Sequence, residues 1–202
     1  MTVSKRLFDV ALVLLGLAPA MIVMFVVALC VLLRDGRPIF YGSERMRDPS
    51  TPFILWKFRT MVTDAADSGV TGGDKARRLT RSGTWLRKSR IDELPQIFNV
   101  LRGDMSLVGP RPPLRRYVEM FPELYAEVLG ARPGMTGLAT LHCGAYEERI
   151  LSACRTAAET EAAYVRRCIP RKARLDKIYR EKRNLCLDVA VLAGTVRRIV
   201  RD

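Results

Sequence analysis

The stretch Val10-Ala-Leu-Val-Leu-Leu-Gly-Leu-Ala-Pro-Ala-Met-Ile-Val-Met-Phe-Val-Val-Ala-Leu-Cys-Val-Leu-Leu33 runs for 24 residues without a charge. At about 1.5 Å per residue, a helix of that length would cross a ~30 Å hydrocarbon core. Lys5 and Arg6 precede it, as basic residues precede a cleaved signal peptide. The apolar region of such a peptide is only about 7–15 residues, and no clear small-residue cleavage site follows here, so a retained membrane segment is expected. Arg34, Arg37, Arg45 and Arg47 follow the run, and both flanks therefore carry the basic residues that mark a cytoplasmic side. Pro19, near the middle, removes a helical hydrogen bond, and Asp9 is more comfortable at an interface than at depth. Together these features fit a helix that dips into one leaflet, breaks at Ala18-Pro19 and returns. An ordinary kinked spanning helix fits them as well, because spanning helices tolerate kinks.

Outward from this run, 202 residues suffice for one soluble domain plus the appendage. A hydrophobic share of 49% with 27% charged residues excludes a disordered chain. The formal net charge of +13 calls for an anionic partner: nucleic acid, an acidic membrane surface or a phosphorylated substrate. Cysteines at 30, 143, 154, 168 and 186 lack zinc-type spacing, and their odd number argues against a disulfide framework; reduced, mostly buried thiols are expected. The single histidine, His142, excludes sites needing two imidazoles and reads as a polar loop residue.

Residues 34–61 contain short apolar runs among Gly, Pro and aromatics, the pattern of short strands or an irregular layer against the membrane. Residues 64–75 read as a polar, flexible loop. Gly72-Gly73-Asp74-Lys75 resembles a phosphate loop, but Ala76 stands where that loop needs Ser or Thr. Lys75 to Arg90 holds seven basic residues and no acid. Then Ile91-Asp-Glu-Leu-Pro-Gln-Ile-Phe-Asn-Val-Leu-Arg-Gly103 predicts a helix that begins near Asp92, buries Leu94, Ile97, Phe98 and Leu101, and ends at Gly103. Two roles are open to Asp92 at that helix start. It could be a simple N-cap, or an ionised carboxylate in a basic setting that binds a divalent metal or attacks phosphorus. Beyond it, the Gly/Pro-rich segment 103–113 fixes Arg111, whose guanidinium suits phosphate oxygens. A second such loop spans 132–137, and residues 154–167 and 172–200 read as helices, the latter basic and amphipathic.

The run Ser89-Arg-Ile-Asp-Glu-Leu-Pro-Gln-Ile-Phe-Asn-Val-Leu-Arg-Gly-Asp-Met-Ser-Leu-Val-Gly-Pro-Arg-Pro112 closely resembles the signature of the bacterial sugar transferases, the monotopic phosphoglycosyl transferases. Lys5-Arg-Leu-Phe-Asp9, Lys57-Phe-Arg-Thr-Met61, Arg132-Pro-Gly-Met-Thr-Gly137 and Leu175-Asp176 with Tyr179 extend the resemblance over nearly the whole chain. It implies an α+β, mostly helical fold: a re-entrant membrane helix over residues 1–34 and a compact cytoplasmic catalytic domain over 35–202. It places the protein on the cytoplasmic face of the bacterial inner membrane. The implied reaction moves a sugar 1-phosphate from a UDP-sugar to polyprenyl (undecaprenyl) phosphate and releases UMP through an aspartyl phosphosugar, the first membrane step of glycoconjugate biosynthesis. In that scheme Asp92 is the nucleophile, and Mg2+ lies at Asp92 and Glu93. Glu93 positions the metal or handles a proton. Arg87, Arg111, Lys57 and Arg59 hold phosphates, and Asp176 is a further site residue. Membrane lipids are implied partners and nucleic acid is not.

Departures are specific. Ala18-Pro19 stands where the family commonly has Ser-Pro, Thr140 where it usually has Gln, and residues 141–170 carry none of the motifs on which the resemblance rests. Larger relatives carry extra spanning helices and another domain, so a minimal catalytic form is expected. Two rival readings remain: a non-enzymatic membrane-tethered basic module binding anionic lipid or nucleic acid, and a transferase in which Asp92 only ligates metal.

Overall fold

The computed structural model describes residues 1–62, 70 and 72–201. The apolar run lies within one helix, α1 (Val3–Asp35), capped by the Thr2 hydroxyl and closed at Gly36, whose φ of 73° suits a residue without a side chain. Helical structure continues through Pro19, without the break expected at Ala18-Pro19. Proline removes one bond from the ladder, and the Leu-, Ala- and Met-rich turns on either side keep theirs. Val13, Leu17, Ala20, Met24, Val27 and Val31 recur every three or four residues, on both sides of Pro19, and join a single hydrophobic cluster with the rest of the protein. The opposite side stays bare: Leu15 is 81% exposed, Phe25 71% and Leu33 75%.

Next come the strands expected in 34–61, β1 (Phe40–Met46) and β2 (Pro52–Phe58), an antiparallel hairpin registered from Phe40 opposite Phe58 to Met46 opposite Pro52. Most of the loop expected at 64–75 lies outside the described residues; its end, Gly73–Arg78, is a short 3-10 helix. Helix α2 (Gly83–Lys88) precedes a 3-10 turn at Ile91–Glu93, and α3 (Gln96–Arg102) follows. The α-helix thus starts at Gln96 and not near Asp92, because Pro95 has no N–H to donate and serves as its cap residue. Its buried side also differs from expectation. Phe98 is 40% exposed, whereas Asn99 is fully buried. The Asn99 amide explains this, accepting from Trp56 N (3.2 Å) and donating to Ile54 O (2.8 Å), which satisfies backbone groups of β2.

The two Gly/Pro-rich segments lie side by side as short parallel strands, β3 (Ser106–Val108) and β4 (Gly134–Thr136). A Cβ on Gly134 would come within 2.1 Å of Gly109 N, so only glycine permits this approach. Around them pack α4 (Arg115–Met120), α5 (Pro122–Val128), α6 (Leu138–Ser152), α7 (Ala157–Ala163), a π turn (Tyr164–Cys168), α8 (Ile169–Lys182) and α9 (Leu185–Arg201). The helix expected over 172–200 is split at Asn184, whose side chain accepts from Leu187 N at 2.8 Å and opens α9. His142 is an exposed residue of α6, not of a loop. All five cysteines are free; Cys143 and Cys168 are buried, but Cys30 and Cys186 are exposed. Among the described residues the result is mostly helical with two small sheets.

Both ends of α1 are fastened to this domain. At its start, Lys5 Nζ lies 3.2 Å from Asp9 and 2.9 Å from Asp188 of α9, and Ser106 Oγ donates to Asp9 Oδ2 at 2.7 Å. The Arg6 guanidinium donates to the carbonyls of Val100 and Leu101 at the end of α3. At its finish, the Arg59 guanidinium donates to the carbonyls of Asp35 (2.5 Å), Gly36 (2.9 Å) and Arg37 (2.8 Å).

Asp176 of α8 is buried, and its Oδ1 has no hydrogen-bond partner among the described residues. Burial pushes its pKa up to about 7, against the pull of Lys172. A carboxyl whose folded pKa exceeds its unfolded value of about 3.9 stabilises below that value and loses the contribution as pH rises to the folded pKa. Asp176→Asn removes the ionisation, so its melting temperature is expected to exceed wild type by more at about pH 8 than at about pH 5. Equal differences at both pH values would show that Asp176 is not held protonated.

Candidate active site

Asp92 lies in the 3-10 turn that links α2 to α3. The turn is entered through Arg90, a non-glycine residue with φ 59°, a left-handed conformation that stores strain and keeps the chain from running on as one helix. The cap residues here are Arg90 for the turn and Pro95 for α3, so Asp92 caps neither. The residue is 6% exposed, and its carboxylate accepts no hydrogen bond among the described residues. Burial raises its pKa; Lys57 is the strongest opposing influence, Glu93 adds to the rise, and Arg87 and Arg111 oppose it.

Its neighbour Glu93 is held very differently. Lys57 Nζ, from the end of β2, lies 2.8 Å from Glu93 Oε1. Arg111, from the segment after β3, donates to the same oxygen and approaches Oε2 at 3.4 Å. Burial alone would raise the Glu93 pKa, but Arg111 and Lys57 together outweigh it and hold the carboxyl well below the usual range. Two adjacent acids are thereby driven apart: Glu93 is a fixed anion bound by cations, and Asp92 lies in their field without a hydrogen bond among the described residues.

Arg87, from α2, stands behind this pair, with Nε donating to Thr60 Oγ1 at 3.0 Å and its charge acting on Asp92. Lys57, Arg87 and Arg111 are therefore gathered at the Asp92–Glu93 pair. Arg59 is turned elsewhere, committed to the three carbonyls that close α1. Asp176 stands one step removed, beside Lys172, which pairs with Glu147 at 2.9 Å and feels the charge of Arg111. Glu147, Lys172 and Arg45 of β1 border the site and were not expected. For Arg45 the available signal was period two along β1, which places it on the face of Tyr41 and, across the register, of Lys57.

Divalent-cation binding can be judged from the donor set. Among the described residues no three metal-ligating side chains cluster. The Glu93 oxygens already face two cations, and a metal there would compete with both. Asp92 has no such partner, and one carboxylate with phosphate oxygens and waters suits magnesium, so Asp92 fits the ion and Glu93 does not.

Comparison with known proteins identifies the family. The chain is 36% identical over 199 residues to an uncharacterised sugar transferase of Bacillus subtilis, covering 98% of this chain and 88% of that one. It is 31% identical over 202 residues to the UDP-N-acetylgalactosamine-undecaprenyl-phosphate N-acetylgalactosaminephosphotransferase of Aeromonas hydrophila, covering 97% of this chain but 43% of that one. Against the undecaprenyl-phosphate galactose phosphotransferase of Salmonella typhimurium it is 36% identical over 153 residues, covering 66% of this chain and 31% of that one. The family model described as bacterial sugar transferase matches residues 1–202, and the chain belongs to that family.

Proposed function

We propose that this protein transfers a sugar 1-phosphate from a UDP-sugar to undecaprenyl phosphate, with Asp92 as nucleophile. The observation that carries the reading is the contrast within the acid pair: Glu93 is fixed by Lys57 and Arg111, while Asp92 beside it is buried, in the field of Lys57, Arg87 and Arg111, and accepts no hydrogen bond among the described residues. The names of the relatives, several of them undecaprenyl-phosphate sugar phosphotransferases, support the reaction class. In the first step an Asp92 oxygen attacks the sugar-bearing phosphorus. The bond from that phosphorus to the bridging oxygen breaks, UMP leaves with the electron pair, and the sugar phosphate is held as an acyl phosphate. An oxygen of the lipid phosphate then attacks the same phosphorus, and Asp92 is released as a carboxylate. Lys57, Arg87 and Arg111 stabilise the charge on the phosphate oxygens. Glu93 is a positioning residue, held too strongly ionised to carry a proton. Magnesium at Asp92 would supply further neutralisation of the diphosphate.

The relation of α1 to the domain supports an anchor held on one side of the membrane. A spanning helix would put its polar ends on opposite sides of a ~30 Å hydrocarbon layer. Here Arg6 and Asp35 are both held by the same folded domain, and the helix lays one stripe on that domain along its length. One exposed apolar side in lipid and one packed side on protein satisfy both environments, and they bring the site to the depth of a lipid phosphate.

UMP release from a panel of UDP-sugars, with undecaprenyl phosphate and magnesium, tests the reaction. Wild type is expected to release UMP, and Asp92→Asn, which keeps size and polarity, to lose at least about a thousandfold in rate. Full activity in Asp92→Asn would exclude the mechanism. The pH dependence gives a second check. Asp92 must be ionised to attack and its pKa is raised, so donor kcat/KM should fall with acid at a pH above the ~3.9 of a free aspartate. Lys57→Met removes the cation that most opposes the rise and should move this acid limb to higher pH. A limb that stays in place would mean that another group controls the step.

A further inference from the structure

The half-buried arginines around the site are engaged in different ways, Arg111 with the Glu93 carboxylate and Arg87 with the Thr60 hydroxyl. Arg59 and Arg6 direct their guanidinium groups at backbone carbonyls and so join α1 to the domain. Arg45 does nothing of the sort. Its guanidinium makes no hydrogen bond and no ion pair among the described residues, and its Nε is buried without a partner. Arginine carries five N–H donors, and buried donors left unmade are destabilising. A cation kept in this state points to a counter-ion that arrives with a ligand.

Its position names that ligand. Arg45 lies opposite Phe53 in the hairpin, on the same face as Tyr41, which lies opposite Lys57. Lys57 is the residue that grips Glu93, and the charges acting on Arg45 are Arg111, Tyr164, Tyr41 and Glu93. Burial lowers the pKa of Arg45, and the like charge of Arg111 lowers it further. Glu93 cannot compensate both, being shared already between Lys57 and Arg111. Two guanidiniums in each other's field, beside a carboxylate already bound by cations, suit an anion with more than one charged group.

We propose that Arg45 is a substrate-binding residue that takes a phosphate oxygen of the nucleotide diphosphate-sugar, with Arg111 engaging the neighbouring phosphate. The assignment rests on the function proposed above and adds to it the residue that makes the site selective for a diphosphate over a monophosphate. The lipid acceptor offers the same phosphate chemistry with one phosphate group only, and the experiment must separate the two.

The full chain in detergent micelles or lipid nanodiscs is assayed as wild type, Arg45→Met and Arg45→Lys. Three quantities are read: KM for the UDP-sugar in UMP release, KM for undecaprenyl phosphate, and the melting temperature without substrate. Arg45→Met removes the unpaired donors and keeps the apolar stem, so its melting temperature should equal or exceed wild type. Its donor KM should rise about tenfold or more, with the acceptor KM within about twofold of wild type, and Arg45→Lys should recover part of the loss. An unchanged donor KM in folded Arg45→Met, or a rise confined to the acceptor KM, would overturn the assignment. Should Arg45→Met not fold, Arg45→Gln is measured in the same way, and failure of both to fold would make the residue structural and overturn it too. Wild type silent with every UDP-sugar would count against the function itself. An active wild type with an unmoved Arg45→Met donor KM counts against this inference alone.

Discussion

The active-site region depends on how Glu93 is held. Its carboxylate joins three segments that are distant in sequence: the end of β2 through Lys57, the turn before α3, and the segment after β3 through Arg111. Removing one member of such a buried group leaves a charge without its partner, a loss of roughly 3–5 kcal/mol in comparable cases. The same contact orders the electrostatics, because cations that neutralise Glu93 also stand over Asp92. A carboxylate that would otherwise be one of two equivalent acids becomes the one available to a substrate.

The hairpin carries this order to the membrane helix. Lys57 and Arg59 are two residues apart at the end of β2, yet one reaches the acid pair and the other closes α1. On the other side, Lys5 and Ser106 fasten the start of α1 to α9 and β3, and β3 leads directly to Arg111. The apolar helix and the site are thus braced by the same short elements. A connection of this kind suits the proposed function, in which a water-soluble donor and a lipid-borne acceptor meet at one carboxylate.

Much of this was legible in the residues, and the failures have physical causes. The apolar run, the two strands, Gly103 as a helix end, and Lys57, Arg87 and Arg111 as companions of Asp92 and Glu93 could all be read from spacing or motif. The start of α3 was misplaced because a proline is tolerated anywhere in a first turn, so Pro95 allowed a start near Asp92, whereas it stands as the cap residue. Phe98 was assigned to the buried side because hydrophobicity outranks Asn in any pattern, while the actual determinant was the need of β2 for backbone partners. The pairing of β3 with β4 is a contact between Gly/Pro-rich segments that look like loops, and parallel pairing over a long connection leaves no local trace. Arg59 carried the motif but not the position. Arg45 showed only alternation along a strand, a signal too common to single it out.

The central claim is that the Asp92 carboxylate itself becomes bonded to phosphorus. It is tested most directly by incubating the protein with a UDP-sugar and magnesium in the absence of lipid acceptor, quenching in acid and analysing the protein by mass spectrometry with peptide mapping. An added mass equal to one sugar phosphate, located on the peptide containing Asp92 and discharged when undecaprenyl phosphate is supplied before the quench, is the expected result. UMP formation that needs both substrates present, with no adduct on the protein at any time, would contradict it and leave Asp92 as a ligand or an electrostatic element.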